Sequence, residues 1–82
     1  MGILNRESIN QQEKEKVQGE FGERLATLRN SKKITQEDFA FEVGVDRTYI
    51  SYLERGKRNP SLYMLFRIAK ALRSTVSELT DF

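Results

Sequence analysis

The 82-residue chain is predicted to be all-α, with five helices in one small domain over residues 20–82 behind a polar extension over residues 1–19. Three observations carry that prediction. Thr35, Asp46, Ser61 and Thr75 are hydroxyl or carboxylate residues standing where helix N-caps are needed. After the caps, apolar residues recur three or four positions apart, the stripe of an amphipathic helix. Gly44 separates two such stretches by so little chain that their axes must cross sharply.

Residues 1–19 are rich in glutamine, glutamate and lysine, and Arg6, Lys14 and Lys16 balance Glu7, Glu13 and Glu15. Ile3, Leu4, Ile9 and Val17 are too sparse for a full apolar stripe. Two readings stand: a frayed tail or loosely attached helix, since low hydrophobicity does not offset the entropy of ordering, or an extra helix near residues 5–17 that packs on a partner protein or a second protomer. Gly19 and Gly22 bracket the entry to the domain.

The first domain helix is expected over residues 20–31, with Phe21, Leu25 and Leu28 on its inner face. Glu20 and Glu23 near its start, and Arg29, Lys32 and Lys33 at and beyond its end, complement the helix dipole. Lys32 and Lys33 serve equally well for solubility or for reaching a phosphate. Ile34 drops inward as a staple before the Thr35 cap, and Asp38 sits at the capping-box position. The second helix then carries Phe39, Ala40 and Val43 as far as Gly44. Asp46 caps a third, with Ile50 and Leu53 inward. Ala40 lies where these two helices approach most closely, so a bulky side chain there would drive them apart.

Residues 55–60, Arg-Gly-Lys-Arg-Asn-Pro, form a loop with three cations around a glycine. Such a run is either a solvated turn or a phosphate grip; beside a helix that reads bases, the grip is favoured. Ser61 caps a helix to about Leu72 with Leu62, Leu65, Ile68, Ala69 and Leu72 inward and Met64 and Phe66 at its edges. Thr75 caps a last short turn carrying Val76, Leu79 and Phe82. These three are either a self-association patch or, for Val76 and Leu79, packing against the first helix.

Composition narrows the function. With no cysteine and no histidine, a disulfide framework and the usual zinc sites are excluded. No catalytic constellation and no phosphate-binding glycine loop of P-loop spacing is present, so neither an enzyme nor a cofactor is expected. No run approaches the roughly 20 apolar residues that cross a bilayer, and no signal segment is seen, so a soluble cytoplasmic protein without membrane contact is expected. A net charge of +2 says little; where the cations lie says more.

The segments TQEDFA, VGV, YIS and LERGKRNPS together resemble the Cro/cI-type (XRE) helix-turn-helix family of phage and bacterial repressors. The string DRTYISYLERGKRNPSL is similar to the small controller proteins of restriction–modification systems. The resemblance implies a lambda repressor-like domain that binds double-stranded DNA as a homodimer, on a pseudo-palindromic operator with half-sites about one helical turn apart. Residues 46–55 would be the recognition helix, presenting Arg47, Thr48, Ser51 and Tyr52 to base edges. Arg47 is the first choice for a bidentate guanine contact, worth roughly 1–3 kcal/mol of discrimination. Gln36, Tyr49, Arg55, Lys57, Arg58 and Asn59, with Lys32 and Lys33, are expected on phosphates. Arg29 and Glu54 match an ion pair of the family that ties the recognition helix to its scaffold. Val76, Leu79 and Phe82 stand where family members pair. The rival expectation is an antitoxin-like protein-interaction module on the same scaffold, using residues 1–19 to hold its partner.

Overall fold

A computed structural model describes residues 6–82; Ile3 and Leu4, and the first residue of the extra helix expected at 5–17, lie outside the described residues. The regular structure of the described residues is five helices: α1 (Arg6–Ser31), α2 (Gln36–Val43), α3 (Arg47–Glu54), α4 (Leu62–Leu72) and α5 (Val76–Leu79). The N-caps predicted for the last four are in place. Thr35, Ser61 and Thr75 hydroxyls accept from the backbone N–H three residues on, and the Asp46 carboxylate from that of Thr48. Gly44 closes α2 at φ 87°, and its N–H and that of Val45 both reach the Ala40 carbonyl. From α4, the Arg67 guanidinium donates to the Val43 carbonyl and ties off the same end.

The core is one cluster. Phe21 and Leu25 of α1, Phe39, Ala40 and Val43 of α2, Ile50 and Leu53 of α3, Ile68, Ala69 and Leu72 of α4, and Leu79 of α5 are all buried in it. Helix α1 packs on α3 and α5, while α2 packs on α3 and α4. The Arg24 guanidinium holds the Glu78 carbonyl at 2.8 Å, fastening α5 to α1.

Several expectations change here. No break in secondary structure separates residues 1–19 from the domain, because α1 runs without interruption through Gly19 and Gly22. Glu20 and Glu23 are therefore mid-helix, and Glu20 pairs with Lys16 at 3.3 Å instead of facing a helix start. Gly22 marks a contact and not a boundary: a Cβ on it would lie 2.5 Å from the Glu54 carbonyl oxygen and 2.6 Å from that of Leu53, so only glycine lets α1 and α3 approach this closely. Leu62, expected inward, is 68% exposed, because at the first position of α4 it stands outside the layer where Ile68, Ala69 and Leu72 meet the core. Of the two readings of Leu79, packing against the first helix holds: it is fully buried in its own protomer between α4 and α1.

Candidate nucleic-acid interface

Short helices hold their orientation only when tertiary contacts fix both ends, and α3 has eight residues. Its C-terminal end is fixed by Arg29 and Glu54. The Arg29 Nε and Nη2 groups donate to the two Glu54 carboxylate oxygens at 2.6 and 3.0 Å, a bidentate fork. The remaining Nη1 donates to the Ile34 carbonyl at 2.7 Å, so the guanidinium also gathers the turn between α1 and α2. Both side chains are about nine-tenths buried. The ion pair thus locks α3 to α1 as expected.

Gln36 joins this knot. Its Nε2 donates to Glu54 Oε1 at 2.9 Å, and the half-buried amide keeps a second N–H. The N–H groups of α2 ahead of Asp38, whose own N–H is held by Thr35, have no intrahelical partner.

The other end of α3 is open. Asp46 Oδ1 accepts from the Thr48 N–H at 3.0 Å and sets the first turn. Arg47 and Thr48 are exposed there, and among the described residues neither side chain has a hydrogen-bond or ionic partner. Ser51 is half-buried one turn on. Tyr52, half-buried, carries two cations: the guanidinium carbons of Arg55 and Arg58 lie 5.0 and 4.4 Å from its ring centre. Cations over an aromatic face are held by its quadrupole, so Tyr52 aims the two arginines.

The loop after α3 keeps its shape through backbone bonds. The Gly56 N–H donates to Leu53 at 3.1 Å and the Lys57 N–H to Tyr52 at 2.8 Å, with Gly56 at φ 74°. Arg55, Lys57, Arg58 and Asn59 are exposed around it. Tyr49 packs half-buried against the core. Burial pushes its phenol pKa up, and the positive charge of Arg58 works against that rise, which puts Arg58 along the face of α3. The Arg58 guanidinium over the Tyr52 ring joins the basic loop to α3. Lys32 and Lys33 belong to neither. They line a separate groove with Phe41, Asp38 and Arg73, beside the end of α4.

One interaction escaped the sequence reading. Gln18, in the polar extension, donates from Nε2 to the Gly56 carbonyl at 3.1 Å, and nothing in its local sequence signals that reach.

A family model described as "Helix-turn-helix" matches residues 25–79, all of α2 to α5 with the second part of α1. The chain belongs to the helix-turn-helix family. Its relatives in that family include control protein C.MunI of Mycoplasma sp, 48% identical over 60 residues that span 72% of this chain and 81% of the relative. Control protein C.BamHI of Bacillus amyloliquefaciens is 46% identical over 63 residues, 76% of this chain and 78% of that one. Among solved structures, the restriction-modification controller protein C.AhdI from Aeromonas hydrophila superposes with a TM-score of 0.74 at 44% identity, covering 76% of this chain and 94% of its own. This helix-turn-helix protein is therefore similar, in sequence and in backbone, to proteins named as controllers.

Proposed function

We propose that this protein is a sequence-specific, DNA-binding transcriptional regulator of the controller type, acting in the cytoplasm as a homodimer on a pseudo-palindromic operator. The observation that carries the reading is the division of α3 into a locked end and an open end. Arg29, Glu54 and Gln36 hold one end inside the protein, and Arg47 and Thr48 stand exposed at the other. A recognition helix enters the major groove with its N-terminal residues against base edges. Arg47 reads a guanine, Thr48 adds a hydroxyl or methyl contact, and Ser51 approaches only as the helix beds into the groove. Arg55, Lys57, Arg58 and Asn59 grip one strand, the first-turn N–H groups of α2 meet the other, and register follows from the two together.

One such surface covers few base pairs, and a dimer doubles both contacts and information. With Leu79 buried, the apolar surface near the chain's last helices includes Leu62 and Phe66, one turn apart on α4, and the half-buried Val76. Phe66 and Val76 line one shallow groove. Phe82, 51% exposed, lies on another side, beside Val17, Phe21 and Pro60. We assign self-association to Leu62, Phe66 and Val76.

Selection from a randomised duplex pool at moderate salt, run in parallel with the Arg47→Ala variant, tests the reading. An enriched two-fold symmetric motif is expected, with preference lost at one position of each half-site in the variant. Binding indifferent to Arg47 and to sequence would refute it and favour a protein partner, for which the exposed Ile9 and Val17 of α1 offer the contact.

A further inference from the structure

The leading part of α1 is joined to the DNA-gripping loop at one place. Gln18 Nε2 donates to the Gly56 carbonyl at 3.1 Å, across 38 positions of sequence. Beside that bond the two backbones touch: a Cβ on Gly56 would lie 2.9 Å from the Gly19 Cα and 3.1 Å from its nitrogen. A Cβ on Gly19 would meet nothing within 4 Å, so the closeness is demanded of Gly56 alone. Asn59, farther along the loop, shares an open groove with Lys14, Val17 and Gln18 of the same helix.

The other half of the Gln18 amide is unusual. Its Oε1 is buried and has no hydrogen-bond partner among the described residues. A buried acceptor left unsatisfied is destabilising, whereas an apolar side chain of the same length would fill the space with no such penalty. An amide at this position is thus a poor choice for stability and a good one for holding the Gly56 carbonyl. The carbonyl belongs to the peptide that leads into Lys57 and Arg58, and its direction sets theirs.

We infer that Gln18 is a positioning residue for DNA binding: it latches the loop of residues 55–59 to α1, so that Lys57 and Arg58 are presented to the phosphates already ordered. This rests on the DNA-binding reading above. Preorganisation lowers the entropy lost when a loop engages its ligand, so the latch acts on affinity for the backbone and leaves base preference alone.

The test uses the full chain and the duplex that the selection yields, beside a random duplex of equal length. Gln18→Met keeps length and loses the donor. Its melting temperature is expected to hold or rise, while affinity falls about five- to tenfold on both duplexes alike. The slope of log K against log salt is expected to become shallower by about 0.9 for each phosphate that is no longer neutralised. Gln18→Glu, whose carboxylate keeps the shape but does not donate at neutral pH, is a second route to the same weakening if Gln18→Met folds poorly. Gly19→Ala, one residue along, should bind as the parent does. Unchanged affinity and slope in both Gln18 variants would overturn the latch, as would a weakening confined to the selected duplex or one matched by a fall in melting temperature. Failure of the parent chain to bind any duplex would instead overturn the DNA-binding reading, and the latch with it.

Discussion

Gly19 and Gly22 stand three positions apart in one helix, and replacing each with alanine should move stability in opposite directions. Alanine is favoured over glycine in a helix interior by about 1 kcal/mol, and both sites gain that. At Gly19 the new methyl meets nothing within 4 Å, so the gain stands nearly whole. At Gly22 the methyl would lie 2.5, 2.6 and 2.8 Å from the Glu54 oxygen, the Leu53 oxygen and the Glu54 carbonyl carbon. All three are backbone atoms of α3, so no rotamer change relieves the clash and α1 must draw back. Overpacking of this kind costs about 1–3 kcal/mol. Here the upper end applies, because withdrawal also stretches the Arg29–Glu54 fork. The net loss at Gly22 is then about 2 kcal/mol. In a domain of this size about 1 kcal/mol corresponds to roughly 4–8 °C. Thermal melts followed by circular dichroism should show Gly19→Ala several degrees above the parent and Gly22→Ala roughly 10 °C below it. Shifts of the same sign would refute the packing of α1 on α3 described here.

Arg29→Ala leaves the Glu54 carboxylate buried without its cation, and urea unfolding should show a loss of about 3–5 kcal/mol, the usual cost of breaking a buried pair. The Tyr49 phenol, raised by burial, holds its proton more tightly folded than unfolded. Its contribution is present in full below the ordinary value of about 10 and is lost as pH rises through the folded value. Stability measured between pH 8 and 11 should therefore decline more steeply in the parent than in Tyr49→Phe, and identical declines would count against the burial. Phe66→Glu places a charge on the proposed pairing surface, so sedimentation should show a monomer at concentrations where the parent is a dimer. An equivalent dimer in that variant would send the search to another face.

The parts of this fold that were legible in the sequence are those decided locally. Thr35, Asp46, Ser61 and Thr75 cap helices because a side-chain oxygen two or three residues ahead of an N–H needs nothing from the rest of the chain. Gly44 ends α2 for an equally local reason. The Arg29–Glu54 pair was reached through family resemblance, because the 25 positions between the two residues hide it from any local pattern. What escaped is tertiary. Gly19 and Gly22 look like punctuation until α3 is laid against α1, and only then does Gly22 show its purpose. Leu62 and Leu79 fit helical stripes equally well, yet one is exposed and the other buried, since periodicity gives a face and not its depth in the core. Gln36 and Gln18 are polar residues near helix ends in sequence, and their partners, Glu54 and Gly56, belong to α3 and the loop that follows it.

The split character of α3 has a consequence for how such a protein can change over generations. Among the described residues the side chains of Arg47 and Thr48 have no hydrogen-bond or ionic partner, whereas Ile50, Leu53 and Glu54 on the same two turns are bound into the core and the ion-pair knot. On the proposed reading, substitutions at the first pair would alter which bases are preferred and leave the scaffold nearly as stable as before. Mutational drift would then retarget the helix to new operators one base at a time, through intermediates that keep the buried core and the ion pair.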